Sequence, residues 1–167
     1  KRPCVVRGRV LAPDGTPVPG AKVDVWQSDD EGFYDVQRDD VSNGTGRGLF
    51  TADGEGRFWF RSVVPSHYPI PTDGPVGRLL EASGRHQFRP AHIHFIIEAP
   101  GFTQLTTHLF VADSPYIDSD AVFAVSSSLI AEFTEVTDPE SAAEVGLAAP
   151  YWTTEADFVL RPVKGSA

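Results

Sequence analysis

The sequence predicts an all-β fold, an antiparallel β-sandwich with long loops and one or two short helices. Three observations carry that expectation. About seven or eight short runs rich in Val, Ile, Phe, Trp and Thr recur at near-regular spacing, the pattern of a sandwich. The 15 Gly and 14 Pro punctuate those runs as turns and gather in no single block. Helical periodicity is scarce, so few elements remain to cover a sheet from outside.

Taken in order, residues 4–10 form a strand and Ala12-Pro13-Asp14-Gly15-Thr16-Pro17 a turn cluster. Residues 21–27 (AKVDVWQ) alternate with period two, which completes a hairpin with the first strand. Asp29-Asp30-Glu31-Gly32 is a polar turn leading into Phe33-Tyr34-Asp35-Val36, and a loop rich in Gly and Asp occupies 38–48. Residues 49–51 and 56–64 flank Asp53-Gly54 as a second hairpin, its later arm rich in aromatic and β-branched residues. Segment 65–84 is too broken by Pro and Gly for a regular element, and long ordered loops tend to be functional. Strands at 92–98, 104–111 and 158–161 complete the set. Residues 119–125 hold a helical turn or two, and 126–134 (SSSLIAEFT) is the better short helix. Neither an internal repeat nor a domain boundary interrupts 1–167, read as a single domain.

Composition narrows the function. A formal net charge of -9 with no basic stripe argues against nucleic acid, whose phosphates need Lys and Arg. No apolar run approaches the ~20 residues that span a bilayer, and no signal pattern opens the chain. Cys4 stands alone, which excludes an internal disulfide and a thiolate metal set, so a soluble cytoplasmic protein is expected. The chain begins at Lys1, contains no Met and enters directly into strand-like sequence, so a processed or truncated part of a longer protein is expected.

Chemistry concentrates in Arg89-Pro90-Ala91-His92-Ile93-His94-Phe95. Side chains at i and i+2 on a strand share a face, so His92 and His94 can reach one metal ion. The remaining ligands must come from other strands, from among Asp, Glu, Cys and, less often, Tyr. Of four tyrosines, Tyr34 follows the Gly32 turn and Tyr68 lies in His67-Tyr68-Pro69-Ile70-Pro71. A phenol of pKa about 10 is a poor ligand for divalent ions, whereas a hard trivalent ion deprotonates it. Two histidines with two tyrosines point to Fe(III).

Several stretches together carry a family resemblance: Gly8-Arg9-Val10 through Pro17-Val18-Pro19-Gly20-Ala21 with Val25-Trp26-Gln27, then Gly32-Phe33-Tyr34, Tyr68-Pro69-Ile70-Pro71 with Gly74-Pro75-Val76, and the run from Arg89 to Phe95. On these the chain resembles the catalytic domain of intradiol ring-cleaving dioxygenases, non-haem Fe(III) enzymes that open catechols between their hydroxyls. The resemblance implies Tyr34, Tyr68, His92 and His94 as protein ligands, with Tyr68 the axial phenol that leaves when substrate chelates. It implies Arg89 as the group that stabilises charge on the substrate ring, and Ile70, Pro71 and Val122 as pocket walls. Catechol-cleaving members usually carry glutamine where this chain has His108. That difference, with Asp118-Ser119-Asp120-Ala121-Val122-Phe123, looks most like the subgroup that oxidises hydroxyquinol (benzene-1,2,4-triol) with O2 to 3-hydroxy-cis,cis-muconate, equivalent to maleylacetate. Catechol and chlorocatechol are the alternative substrates. Such members also have an N-terminal helical segment that makes a homodimer and lends residues to the pocket, and this chain lacks it.

Other residues have plainer readings. His67 and His86 read as loop residues, Tyr116 and Tyr151 as packing or rim residues, and Trp26, Trp59, Phe58 and Phe60 as sandwich core. His108 is either a hydrogen-bond partner of a ligand or substrate oxygen, or a core-edge histidine. Two competing functions are a zinc hydrolase using His92, His94 and Asp118, and a non-catalytic β-sandwich binding module. Neither explains two tyrosines beside two histidines.

Overall fold

The computed structural model describes residues 1–163, four short of the extent read as one domain. Among the described residues, eleven strands and two short helices follow one another. They are β1 (Pro3–Leu11), β2 (Lys22–Gln27), β3 (Arg47–Thr51), β4 (Arg57–Val63), β5 (Tyr68–Pro69), α1 (Pro75–Ala82), β6 (Phe88–Arg89), β7 (His92–Glu98), β8 (Leu105–Val111), β9 (Ile130–Ala131), β10 (Thr134–Val136), α2 (Pro139–Glu144) and β11 (Tyr151–Val159). One sheet has the order β10-β11-β1-β4, the facing sheet β3-β2-β7-β8-β9, and β5 pairs with β6 as a separate ribbon.

The expected sandwich is present, with two parallel pairings inside it: β1 with β11, and β8 with β9. Both expected hairpins are instead arches between sheets. β1 lies in one sheet and β2 in the other, and β3 and β4 are likewise separated. The turn chemistry at 12–17 and 53–54 is real, but a turn also serves to carry a chain across the core. Only an isolated bridge from Leu11 to Pro17 remains of the first pairing.

Period two sorts each strand between core and outer face. Ile93, Phe95 and Ile97 of β7 and Leu109 and Val111 of β8 are buried against Val6, Val10, Phe58, Phe60 and Phe158 of the facing sheet. Phe95 is fully buried, with ring centroids 4.8 Å from Phe158, 6.5 Å from Phe58 and 6.4 Å from Phe60. Phe58 and Phe60 are core as expected. Trp59, out of phase with them, is 52% exposed, and Trp26 stacks on His94 at 4.6 Å on the outer face.

The helices differ from expectation in place. Residues 126–134 give a 3-10 turn at Ser127–Leu129 and then β9, because Ile130 and Ala131 pair with Phe110 and Val111. Residues 119–125 form turns without a helix. The supposedly broken segment contains α1, opened by Gly74 and Pro75 at its first position. Asp138 caps α2 by accepting from the Ser141 amide, and β11 begins at Tyr151, seven residues before the expected strand. No helix among the described residues is long and apolar enough to cross a membrane.

Candidate metal centre

The phase of β7 that sends Ile93 and Phe95 into the core sends His92 and His94 to the outer face of the five-stranded sheet. Three connections cover that face. The first turns at Asp29, whose Oδ1 accepts the amides of Glu31 and Phe33. Gly32 there has φ 90, and a Cβ would meet the His67 carbonyl oxygen at 2.7 Å. Only glycine satisfies both conditions, and the close approach seats Tyr34 against Tyr68. Beyond Tyr34 a 3-10 turn, Asp35–Gln37, is locked by Arg47 and the Gly44 amide on the Asp35 carboxylate. The Arg47 guanidinium beside Asp35 holds its pKa down to about 2.

The second connection is the β5–β6 ribbon, in which Tyr68 and Arg89 are directly paired. Their side chains therefore meet the histidines from one small element. The third connection, from Val111 to the 3-10 turn, contributes Asp120 and Val122.

Four donor atoms close a ring. Tyr34 Oη lies 3.2 Å from Tyr68 Oη and 3.0 Å from His94 Nε2. Tyr68 Oη lies 3.3 Å from His92 Nε2, and the two histidine Nε2 atoms are 3.1 Å apart. Ligands at adjacent positions around an ion with bonds of ~2.0–2.1 Å stand ~2.9–3.4 Å apart, so these edges fit one ion held by all four atoms. His92 Nδ1–H donates to the Pro90 carbonyl oxygen at 2.7 Å, which leaves Nε2 unprotonated as the ring's donor atom.

Electrostatics keep the two imidazoles uncharged. Burial, and then the Arg89 charge, pull His92 down to about 3; burial and then His92 do the same to His94. Both imidazoles are neutral ligands-in-waiting at neutral pH. Burial and the Tyr68 hydroxyl push the Tyr34 phenol well above its ordinary range. It ionises only beside strong positive charge.

The structure brings together Tyr34, Tyr68, His92, His94 and Arg89, whose Nη1 is 3.2 Å from His92 Nε2. His108 pairs with His94 across β7 and β8, ring centroids 4.6 Å apart, and joins His92 and His94 within 4.8 Å. Burial, then Arg89, lowers its pKa. Asp118 is exposed and outside that cluster. Ile70 is half-buried, Pro71 exposed and Val122 45% exposed. His67 and His86, read as loop residues, pack on Tyr116 beside Phe88, and Tyr151 is buried under α2. A cavity of about 540 Å³ opens beside β2, β3 and β4, lined by Asp35 and Arg47 but by none of the four ring donors.

Sequence reasoning missed three contributors: Trp26, the Pro90 carbonyl and Asp120. Period two on β2 puts Trp26 opposite Val25, but only the register with β7 brings it onto His94.

Fold and donor set define a class: a β-sandwich with a mixed imidazole and phenol site on the outer face of one sheet. A family model described as a dioxygenase matches residues 2–162. Hydroxyquinol 1,2-dioxygenase of a Rhizobium species is 54% identical over 158 residues, covering 93% of this chain and 54% of that one. The 6-chlorohydroxyquinol 1,2-dioxygenase of Cupriavidus pinatubonensis is 48% identical over 160 residues, covering 96% and 54%. Among solved structures, hydroxyquinol 1,2-dioxygenase of Pseudomonas putida matches with a TM-score of 0.89 at 46% identity, over 97% of this chain and 57% of that one. The chain belongs to the intradiol ring-cleaving dioxygenase family. It spans about half the length of the curated relatives it matches.

Proposed function

We propose that 1–167 is the single catalytic domain of an Fe(III) intradiol dioxygenase that inserts both atoms of O2 into hydroxyquinol, giving 3-hydroxy-cis,cis-muconate, equivalent to maleylacetate. The ring of four donor atoms at 3.0–3.3 Å carries the reading. Tyr34, Tyr68, His92 and His94 would hold the ion. Bound there, Fe(III) would supply Lewis acidity toward a chelating aromatic diol.

The chain's own groups divide the remaining work. Tyr68 stands on a two-residue ribbon, and would be the phenolate that gives way to substrate and takes up a hydroxyl proton at Oη, becoming a neutral phenol. Tyr34 stays, because its backbone amide is tied to Gln37 and its turn is clamped by Arg47. Arg89 presents Nη1 to the site and offers fixed positive charge where the ring becomes anionic. His108, beside His94, is placed to hydrogen-bond a substrate oxygen. Ile70, Pro71 and Val122 wall the ring. Hydroxyquinol is preferred over catechol and chlorocatechol on the strength of His108 and of the two hydroxyquinol-type relatives. We place the protein in the cytoplasm, in keeping with a single buried free thiol at Cys4; a homodimer belongs to a longer chain bearing a helical segment.

Colour tests the centre. Iron-loaded protein is expected to be burgundy from phenolate-to-iron charge transfer, and anaerobic hydroxyquinol should shift the band. A colourless protein holding stoichiometric zinc on the three-histidine cluster would sink the reading. Turnover on hydroxyquinol, catechol and chlorocatechol ranks the substrates, and Tyr68→Phe and His94→Ala should each lose most activity.

A further inference from the structure

Asp120 is 4% exposed and carries four hydrogen bonds on one carboxylate. Oδ1 accepts Arg89 Nε–H at 3.2 Å and the Val122 amide at 3.3 Å; Oδ2 accepts Arg89 Nη2–H at 3.4 Å and the Ala124 amide at 3.0 Å. Each oxygen therefore serves one guanidinium nitrogen and one amide of the loop that bears Val122. The fork occupies the Nε–Nη2 edge of Arg89 and leaves Nη1 directed at His92 Nε2. The pairing also answers an electrostatic problem. A guanidinium 3.2 Å from a ring donor would be repelled by any cation held in the ring, and a buried carboxylate on its far edge offsets that repulsion.

We propose that Asp120 is a positioning residue that fixes the charge donor Arg89 and the pocket-wall residue Val122 as one unit. The inference rests on the function proposed above. The loop has no freedom to compensate. Ala121 N–H donates to the Phe88 carbonyl, Arg85 donates to the carbonyls of Asp120 and Ala121, and the Arg85 guanidinium lies 3.8 Å over the ring of Phe123, which is held at φ 56. A shift of Asp120 is thus felt at Arg89 and at Val122 together.

Asp120→Asn separates this from a merely structural role. All four partners are N–H donors, so whichever way the amide is oriented its NH2 faces one nitrogen of Arg89 and one loop amide. In metal-free protein, heteronuclear NMR should show hydrogen exchange at Arg89 Nε–H and at the Val122 and Ala124 amides faster by about tenfold or more, with the Phe95 amide unchanged. In iron-loaded protein the charge-transfer band should keep its position while hydroxyquinol turnover falls ~10–100-fold. Arg89→Gln with Asp120→Asn should then lose no more than Arg89→Gln alone, since the second residue acts through the first. Unchanged exchange at Arg89 Nε–H, or losses that multiply in the double variant, would overturn the proposal. Should the Asn variant not fold, Asp120→Glu keeps the charge and displaces the fork, and the same three exchange rates decide. A wild-type protein without the band would strike the iron reading, and the metal-free exchange data then decide the role of Asp120 by themselves.

Discussion

At Tyr34, burial and the neighbouring Tyr68 hydroxyl make ionisation hard, while His92 and His94 are already neutral because burial drives them down to about 3. The protons that leave when iron enters must therefore come from the phenols and not from the imidazoles. Loading should release one proton per phenol near neutral pH and should tighten as pH rises. Calorimetry in buffers of different ionisation enthalpy counts them. Comparing wild type with Tyr68→Phe under one iron source cancels the source's own protons, and the variant should release one fewer. Equal release from both proteins would remove Tyr68 from the ligand set. The same residues mark how far the sequence carries a site. His92, His94 and Arg89 share one short run, and Tyr34 and Tyr68 were singled out by type and by their neighbours. Asp120 is marked in the sequence only by its neighbourhood, because nothing local announces a carboxylate whose guanidinium partner lies 31 residues away.

Elements were legible wherever period two was enforced by burial on one side, as in β2, β4, β7 and β8. Pairing was not legible, since the same Gly and Pro signals serve a hairpin and an arch between sheets. β1 shows the consequence. It pairs with β4 and, in parallel, with β11, neither of which is its neighbour in sequence. At Gly8 the Phe58 ring fills the space a side chain would need, with a Cβ 2.2 Å from Cζ. Gly8→Ala forces that aromatic aside and should cost ~1–3 kcal/mol, read from urea midpoints at constant slope. The short helices escaped for a different reason. Neither has the length for periodicity, and both are declared only at their ends, by Gly74-Pro75 and by Asp138-Pro139 with Ser141. Asp138→Ala removes the acceptor of the Ser141 amide at 2.8 Å and should cost ~1 kcal/mol. A loss near zero would show that α2 is held by Ala142 against Val5 and Tyr151 alone.

For the whole molecule, one sandwich core supports a polar, half-buried site on its outer face, and the two respond differently to acid. Phe95→Ala should cost ~3–5 kcal/mol at any pH where the fold persists, because it empties the centre of the core. The site is pH-dependent. His92 and His94 are held at about 3 in the folded chain against about 6.5 when unfolded. Below pH ~6.5 the unfolded chain takes up protons that the folded one refuses, so metal-free stability falls from there and the loss is complete only near the folded values. His108, also lowered, adds in the same direction. Carboxylates such as Asp35 and Asp40, held at about 2, lose their contribution only below the unfolded value near 3.8. Between pH 6.5 and 4 the histidines therefore act ahead of those carboxylates. Urea midpoints of metal-free protein at pH 7.5, 6 and 5 should decline steadily, and the decline should be shallower in His92→Gln, which has no proton to gain. Parallel slopes for the two proteins would mean that the buried imidazole is not what acid attacks.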